Sequence, residues 1–188
     1  MELYTDTYYI QRIQAGDVAC FACLLDKYSR PINSLILKVV RSQEEAEELA
    51  QDTFMKVFKN LASFKGDCSF STWIYRIAYN TAVSETRRRK REWACIDQAR
   101  LANLPDSEAE RMDAWEGRQE YLDALTRAVG ELEPEERALV TLFYYEEYSV
   151  SECAGITQMS ESNIKVRLHR IRKKLYILVN TQLHGSEK

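Results

Sequence analysis

The chain has 188 residues, a formal net charge of −3, 45% apolar and 29% charged residues, a length for one domain or two small ones and a composition for a soluble globular protein. No run approaches the ~20 apolar residues of a membrane helix, and the polar, tyrosine-rich start carries no signal-peptide pattern, so a cytoplasmic protein without membrane insertion is expected. The odd set of five cysteines makes no disulfide framework; Cys20 and Cys23 have CxxC spacing, but only His169 and His184 could complete a site, so neither a metal nor a cofactor is expected.

Only six glycines and three prolines punctuate the chain, and no strand pattern competes, so the fold class is all-α. The charges are segregated. Acid collects in Glu44–Asp52, Asp106–Glu120 and Glu131–Glu147, and base in Arg87–Arg91 and Lys165–Lys174. Local charge governs contact with a polyanion, so the negative total does not exclude a nucleic acid partner.

Residues 7–40 read as two or three helices, with Gly16 and Asp17 breaking the first and Pro31 marking the turn between the last two. Ser42 is then an N-cap, with glutamates crowding the first turns where the helix dipole favours them. Behind it Ala46, Leu49, Ala50, Phe54, Val57, Phe58 and Leu61 form a core stripe. The outer face, with Glu48, Gln51, Asp52, Met55 and Lys56, is charged and suits either solvent or a docked partner.

The stretch Ser63–Arg91, SFKGDCSFSTWIYRIAYNTAVSETRRRKR, is the more informative. Phe70, Ile74, Ile77, Ala78 and Ala82 recur at helical spacing as a core face. At about 100° per residue, Thr72, Arg76, Tyr79, Asn80, Val83 and Arg87 line up away from that core, with Trp73 on the border. Five consecutive cationic residues then repel one another unless a polyanion screens them. A Gly66–Asp67 turn, an aromatic helix with hydroxyls and an amide on its free face, and a cationic run supply the stacking and charge that single-stranded nucleic acid requires.

Residues 92–117 lose periodicity, carry Pro105, and read as a flexible acidic linker between two small helical domains, 1–91 and 118–188. The second opens with Tyr121, Leu122, Leu125 and Val129 on one face; Pro134 starts a new helix at its first turn, with Ala138, Leu139, Leu142 and Phe143 inward. Ser149 and Glu152 make a capping box, and Ser160 caps the last helix, whose inner stripe is Ile164, Leu168, Ile171, Leu175 and Leu178. Ser162, Val166, His169 and Lys173 centre its outer face, flanked by Lys165 and Arg170. This four-helix unit contains a helix-turn-helix whose second member suits a major groove.

The segments EEAEELAQDTFMKVF, SFKGDCSFSTWIYRIAYNTAVSETRRRKR and LEPEERALVTLFYYEEYSVSECAGITQMSESNIKVRLHRIRKKL resemble the second and fourth regions of bacterial RNA polymerase sigma factors of the extracytoplasmic function group, over about residues 8–91 and 118–176. The resemblance implies a sigma factor, not an enzyme, that binds core RNA polymerase and promoter DNA, with an anti-sigma factor as a family expectation. It makes Glu48, Gln51, Asp52 and Lys56 the polymerase-docking face. Phe64, Lys65, Gly66, Asp67, Ser69 and Ser71 become a pocket for a flipped minus-ten base, with Thr72, Trp73, Arg76, Asn80 and Thr81 as flanking contacts. In the second domain Lys165, Val166, His169 and Arg170 take base-reading or nearby positions of the minus-thirty-five element, and Ser160, Ser162, Arg167 and Lys173 phosphate positions. The chain departs from the family at Gln158, where a turn glycine is usual, and at Val166, commonly polar. A free-standing helix-turn-helix regulator would also account for residues 149–178, but not for Ser63–Arg91.

Overall fold

The computed structural model describes residues 4–88 and 119–184, and among these the regular structure is helical throughout. The first domain holds α1 (Asp6–Gln14), α2 (Phe21–Val40), α3 (Gln43–Asn60) and α4 (Phe70–Arg88); the second holds α5 (Gln119–Glu131), α6 (Pro134–Val140), α7 (Val150–Thr157) and α8 (Glu161–His184). The expected acidic linker and the end of the cationic run lie outside the described residues.

Pro31 does not mark a turn. It sits inside α2, a single helix of 20 residues. An interior proline costs a helix about 3 kcal/mol, but Leu24, Tyr28, Ile32, Leu35, Ile36, Val39 and Val40 form one buried stripe running through it, and each such side chain returns roughly 1.5–3 kcal/mol. Packing outweighs the local preference. The helix ends at Arg41, which takes the left-handed conformation (φ 65°) and donates its N–H to the Leu37 carbonyl at 2.8 Å.

α3 begins at Ser42, whose hydroxyl accepts from the Glu45 N–H, as expected. Ala46 and Val57 are buried, and so is Thr53, whose hydroxyl is satisfied by the Leu49 carbonyl. Phe58 is corrected to an exposed position, set edge-on against Phe21. α1 is tied to α2 by Asp6, which accepts from Tyr28 Oη at 2.6 Å and pairs with Lys27.

In the second domain Pro134 is the first residue of α6, and a single π-helical turn, Thr141–Tyr145, follows that helix. The Ser149–Glu152 capping box opens α7 and the Ser160 hydroxyl accepts from the Asn163 N–H at the start of α8. Leu122 is exposed, and Ala124 and Ala128 take the inward positions of α5 instead. Cys153 lies fully buried in α7, its thiol pushed up to about 12 by that burial, with its Sγ 3.8 Å from the Tyr148 carbonyl.

The two domains share one continuous core. α6 packs on α2, and α7 packs on α4. Arg137 of α6 is only 1% exposed; its guanidinium donates to the carbonyls of Lys38 and Val39 at the end of α2, and to those of Gly130 and Leu132 at the end of α5. A cation at two helix C-termini is favoured by both dipoles and fills carbonyls that have no partner within their own helices.

Candidate nucleic-acid interface

The loop between α3 and α4 is built on aromatic packing and a cap. Phe64 stands 5.8 Å from Phe70 and 5.1 Å from Trp73, ring to ring, which seats the start of the loop on the first domain. Gln14 donates to the carbonyls of Leu61 and Phe64 and holds the same segment from α1. Gly66 has φ 82°, a value at which a side chain is strained, so the turn depends on glycine there. Ser69 caps α4: its Oγ accepts from the Thr72 N–H at 3.0 Å and meets the Thr72 hydroxyl at 2.8 Å. Lys65, Gly66, Asp67 and Ser69 are exposed, so the loop tip is open beside an aromatic floor.

Along α4 the expected site divides. Asn80 is exposed and, with Asp52, Lys56 and Thr81, lines an open groove of about 480 Å³ between α3 and α4. Thr81 itself is buried and accepts a hydrogen bond from Lys56 Nζ at 3.0 Å, which ties α4 to α3. Thr72, Tyr79 and Val83, expected on the free face, are instead buried at 4–5% exposure. They do point away from the first domain's own core, but the second domain covers them. Ser71 hydrogen-bonds the Tyr148 hydroxyl, and Arg76 Nε donates to the Gly155 carbonyl at 2.8 Å. Trp73 remains half-buried at the border. Arg87 is drawn from the cationic run into an ion pair with Glu135.

On α3, Glu48, Gln51, Asp52 and Lys56 are all exposed. On α8, Ser160, Ser162, Lys165, Val166 and Arg170 are exposed, with His169 and Lys173 half-buried beside them. Arg167 is turned aside, its Nη1 3.3 Å from Glu135. Glu135 thus joins three elements, and although burial favours its protonated form, hydrogen bonds from Arg87 and Arg167 hold its carboxyl below the usual range. The turn before α8 needs a left-handed residue, and Gln158 supplies it with φ 60° and ψ 32°, the conformation for which glycine is the ordinary choice.

Sequence reasoning missed Arg137, Gly155 and Tyr148, all of which join the domains. A signal was available. Thr72, Tyr75, Tyr79, Val83 and Thr86 recur at three and four residue spacing on α4, a second stripe beside the first. All five are buried.

Two family descriptions match the chain, Sigma-70 region 2 over residues 24–92 and Sigma-70 region 4 over residues 122–175, between them more than half of it. The chain belongs to the sigma-70 family. It is 29% identical to the RNA polymerase sigma-H factor of Pseudomonas aeruginosa over 90% of this chain and 91% of that one. It is 27% identical to the ECF RNA polymerase sigma factor SigW of Bacillus subtilis over 88% and 92%, respectively. The solved structure of CnrH, in complex with the cytosolic domain of CnrY, superposes with a TM-score of 0.68 at 20% identity, covering 94% of this chain and 97% of CnrH, a likeness of fold. In this sigma-70 family chain the region 2 match contains the α3 face, the loop and α4, and the region 4 match contains the helix-turn-helix.

Proposed function

We propose that this chain is a sigma factor that joins core RNA polymerase and directs it to promoters, with residues 1–91 capturing a separated minus-ten strand and residues 118–188 reading the minus-thirty-five element as duplex. The observation that carries the reading is the presence, in one chain of the sigma-70 family, of an open loop on an aromatic floor and a capped basic helix-turn-helix. The first suits an unstacked base and the second a major groove.

Opening about ten base pairs costs on the order of 14 kcal/mol, and the chain carries no nucleotide-hydrolysis motif, so the chain acts by capture within the larger polymerase. A base leaving the stack would lie in the Phe64–Ser71 loop, with Asn80 and the cationic end of α4 following the strand. Lys165, Val166, His169 and Arg170 would meet base edges upstream, and Ser160, Ser162 and Lys173 phosphates. Glu48, Gln51, Asp52 and Lys56 would seat on polymerase. The sigma factor RpoE of Bartonella quintana was solved in complex with the anti-sigma factor NepR, and a partner of that sort belongs to the same proposal.

The test is run-off transcription with core polymerase on a promoter library, comparing the intact chain with Asn80→Ala and Arg170→Ala. Start-site selection should depend on the chain, and each variant should weaken it, Arg170→Ala with altered preference upstream. Start sites indifferent to the chain, or a tight shift of duplex DNA by the chain alone, would replace this reading with that of a free-standing regulator.

A further inference from the structure

The loop that carries the proposed base pocket is held from a part of the chain outside the region 2 match. That match begins at residue 24, and α1 precedes it. Both ends of α1 are fixed. At its start Asp6 accepts from Tyr28 Oη and Lys27 Nζ of α2. At its end Gly16 turns the chain with φ 103°, the N–H groups of Gly16 and Asp17 donate to the carbonyls of Ile13 and Arg12, and the Arg12 guanidinium meets Asp17 Oδ2 at 2.6 Å. Gln14 lies in this anchored last turn.

Gln14 Nε2 stands 3.1 Å from the Leu61 carbonyl and 3.2 Å from that of Phe64. Both partners are acceptors, so the nitrogen side of the amide must face them, and one NH2 group has two hydrogens to give. The two carbonyls bracket the turn Leu61–Ser63, where α3 ends and the loop begins. The Leu61 carbonyl also accepts from the Phe64 N–H at 3.1 Å, whereas Phe64 itself has already turned extended (φ −68°, ψ 113°). Gln14 therefore holds the backbone of the residue whose ring lies against Phe70 and Trp73. Lys65, Gly66 and Asp67 follow and are exposed, and the next hold on the chain is the Ser69 cap of α4.

Resting on the function proposed above, we infer that Gln14 is a positioning residue for the captured minus-ten base: α1 braces the start of the loop, and the Gln14 amide sets the aromatic floor through Phe64. It touches no base itself. A binding constellation works when its members are held within about 0.5 Å of the productive geometry, so loss of these two bonds is read out as lost discrimination at the pocket.

The test uses holoenzyme assembled from core polymerase and the full chain. It is titrated with fork-junction DNA carrying the minus-ten strand of a promoter selected in the run-off assay, and with copies in which one minus-ten nucleotide at a time is abasic. With the wild type, removing the captured base should weaken binding by about tenfold, the worth of a stacked base. Gln14→Glu, of the same length but with no donor, and Gln14→Ala should each lower that preference to about twofold. A residue that only supports the fold would weaken both DNAs alike and leave the ratio standing. Hydrogen–deuterium exchange of the free chain gives a second reading without DNA: amides of residues 64–69 should exchange faster in Gln14→Ala, and those of α2 at the wild-type rate. Variants that keep the tenfold preference overturn the inference, as does unchanged exchange in the loop. A wild type indifferent to every abasic position would instead strike base capture, and is told apart because it appears before any substitution is made.

Discussion

Arg137 Nε lies 2.9 Å from the Lys38 carbonyl and its Nη2 lies 2.5 Å from that of Val39, a contact between helices that begins the second domain's hold on the first. Replacing Arg137 by Met would leave these carbonyls and that of Leu132 without their cationic donor in a buried site. Hydrogen bonds to charged groups are worth about 1.5–3 kcal/mol each, and unpaired buried acceptors cost a similar amount. We expect Arg137→Met to lose about 3 kcal/mol of stability in urea denaturation. Arg137→Lys should recover only part of it, because an ammonium has no planar fork to span two helix ends.

The turn into α8 holds Gln158 at a positive φ. A left-handed conformation costs a non-glycine residue about 1–2 kcal/mol, offset in part by the flexibility glycine brings to the unfolded chain. Gln158→Gly should therefore raise the midpoint of thermal unfolding, by about 1 kcal/mol of added stability. No change, or a loss, would mean that the glutamine side chain contributes more than its backbone strain costs.

Glu135 accepts from both Arg87 and Arg167 and is held below the usual carboxylate range. A carboxyl whose folded pKa is depressed contributes stability above its unfolded value of about 4.3, and that contribution is lost as the pH falls through the folded value. The contact between α4, α6 and α8 should therefore weaken on acidification below about pH 4. Thermal unfolding followed from neutral to acid pH checks this: Glu135→Gln should flatten the acid limb, and an identical profile would refute the assignment.

Asp52 and Lys56 stand exposed on α3, and Lys56 also holds Thr81. If this face seats on polymerase, Asp52→Lys should lower affinity for the core enzyme by at least about tenfold through reversed charge at the contact, with the helical content unchanged. Fluorescence titration with labelled core enzyme measures it; unchanged affinity would move the docking surface elsewhere.

Most helices were legible because each carries a single apolar stripe at a period of 3.6 residues, and the caps at Ser42, Ser149 and Ser160 announce themselves through hydroxyls that outcompete other side chains there. Pro31 misled, since its local cost is visible in the sequence and the stripe's burial is not. The face of α4 misled for a related reason. A helix that packs on two sides shows two overlapping stripes, and Thr72 and Tyr79 read as polar when only one side is assumed buried. Arg137 was beyond reach of pattern, because its partners are backbone carbonyls, which every residue possesses. The loop tip and Ser162, Lys165, Val166 and Arg170 of α8 were readable because polar and cationic residues at those positions stand exposed, as their pattern implies.

Cys153 differs from Cys20, Cys23 and Cys68 in being wholly enclosed, with a thiol that burial keeps protonated. A thiolate attacks an alkylating reagent and displaces its leaving group, so the sulfur must be both deprotonated and accessible. The half-buried sulfurs of the first domain will therefore be modified early, and the one in α7 only when that helix lets go of its neighbours. Mass spectrometry of the time course would turn this difference in reactivity into a clock for the helix-turn-helix alone.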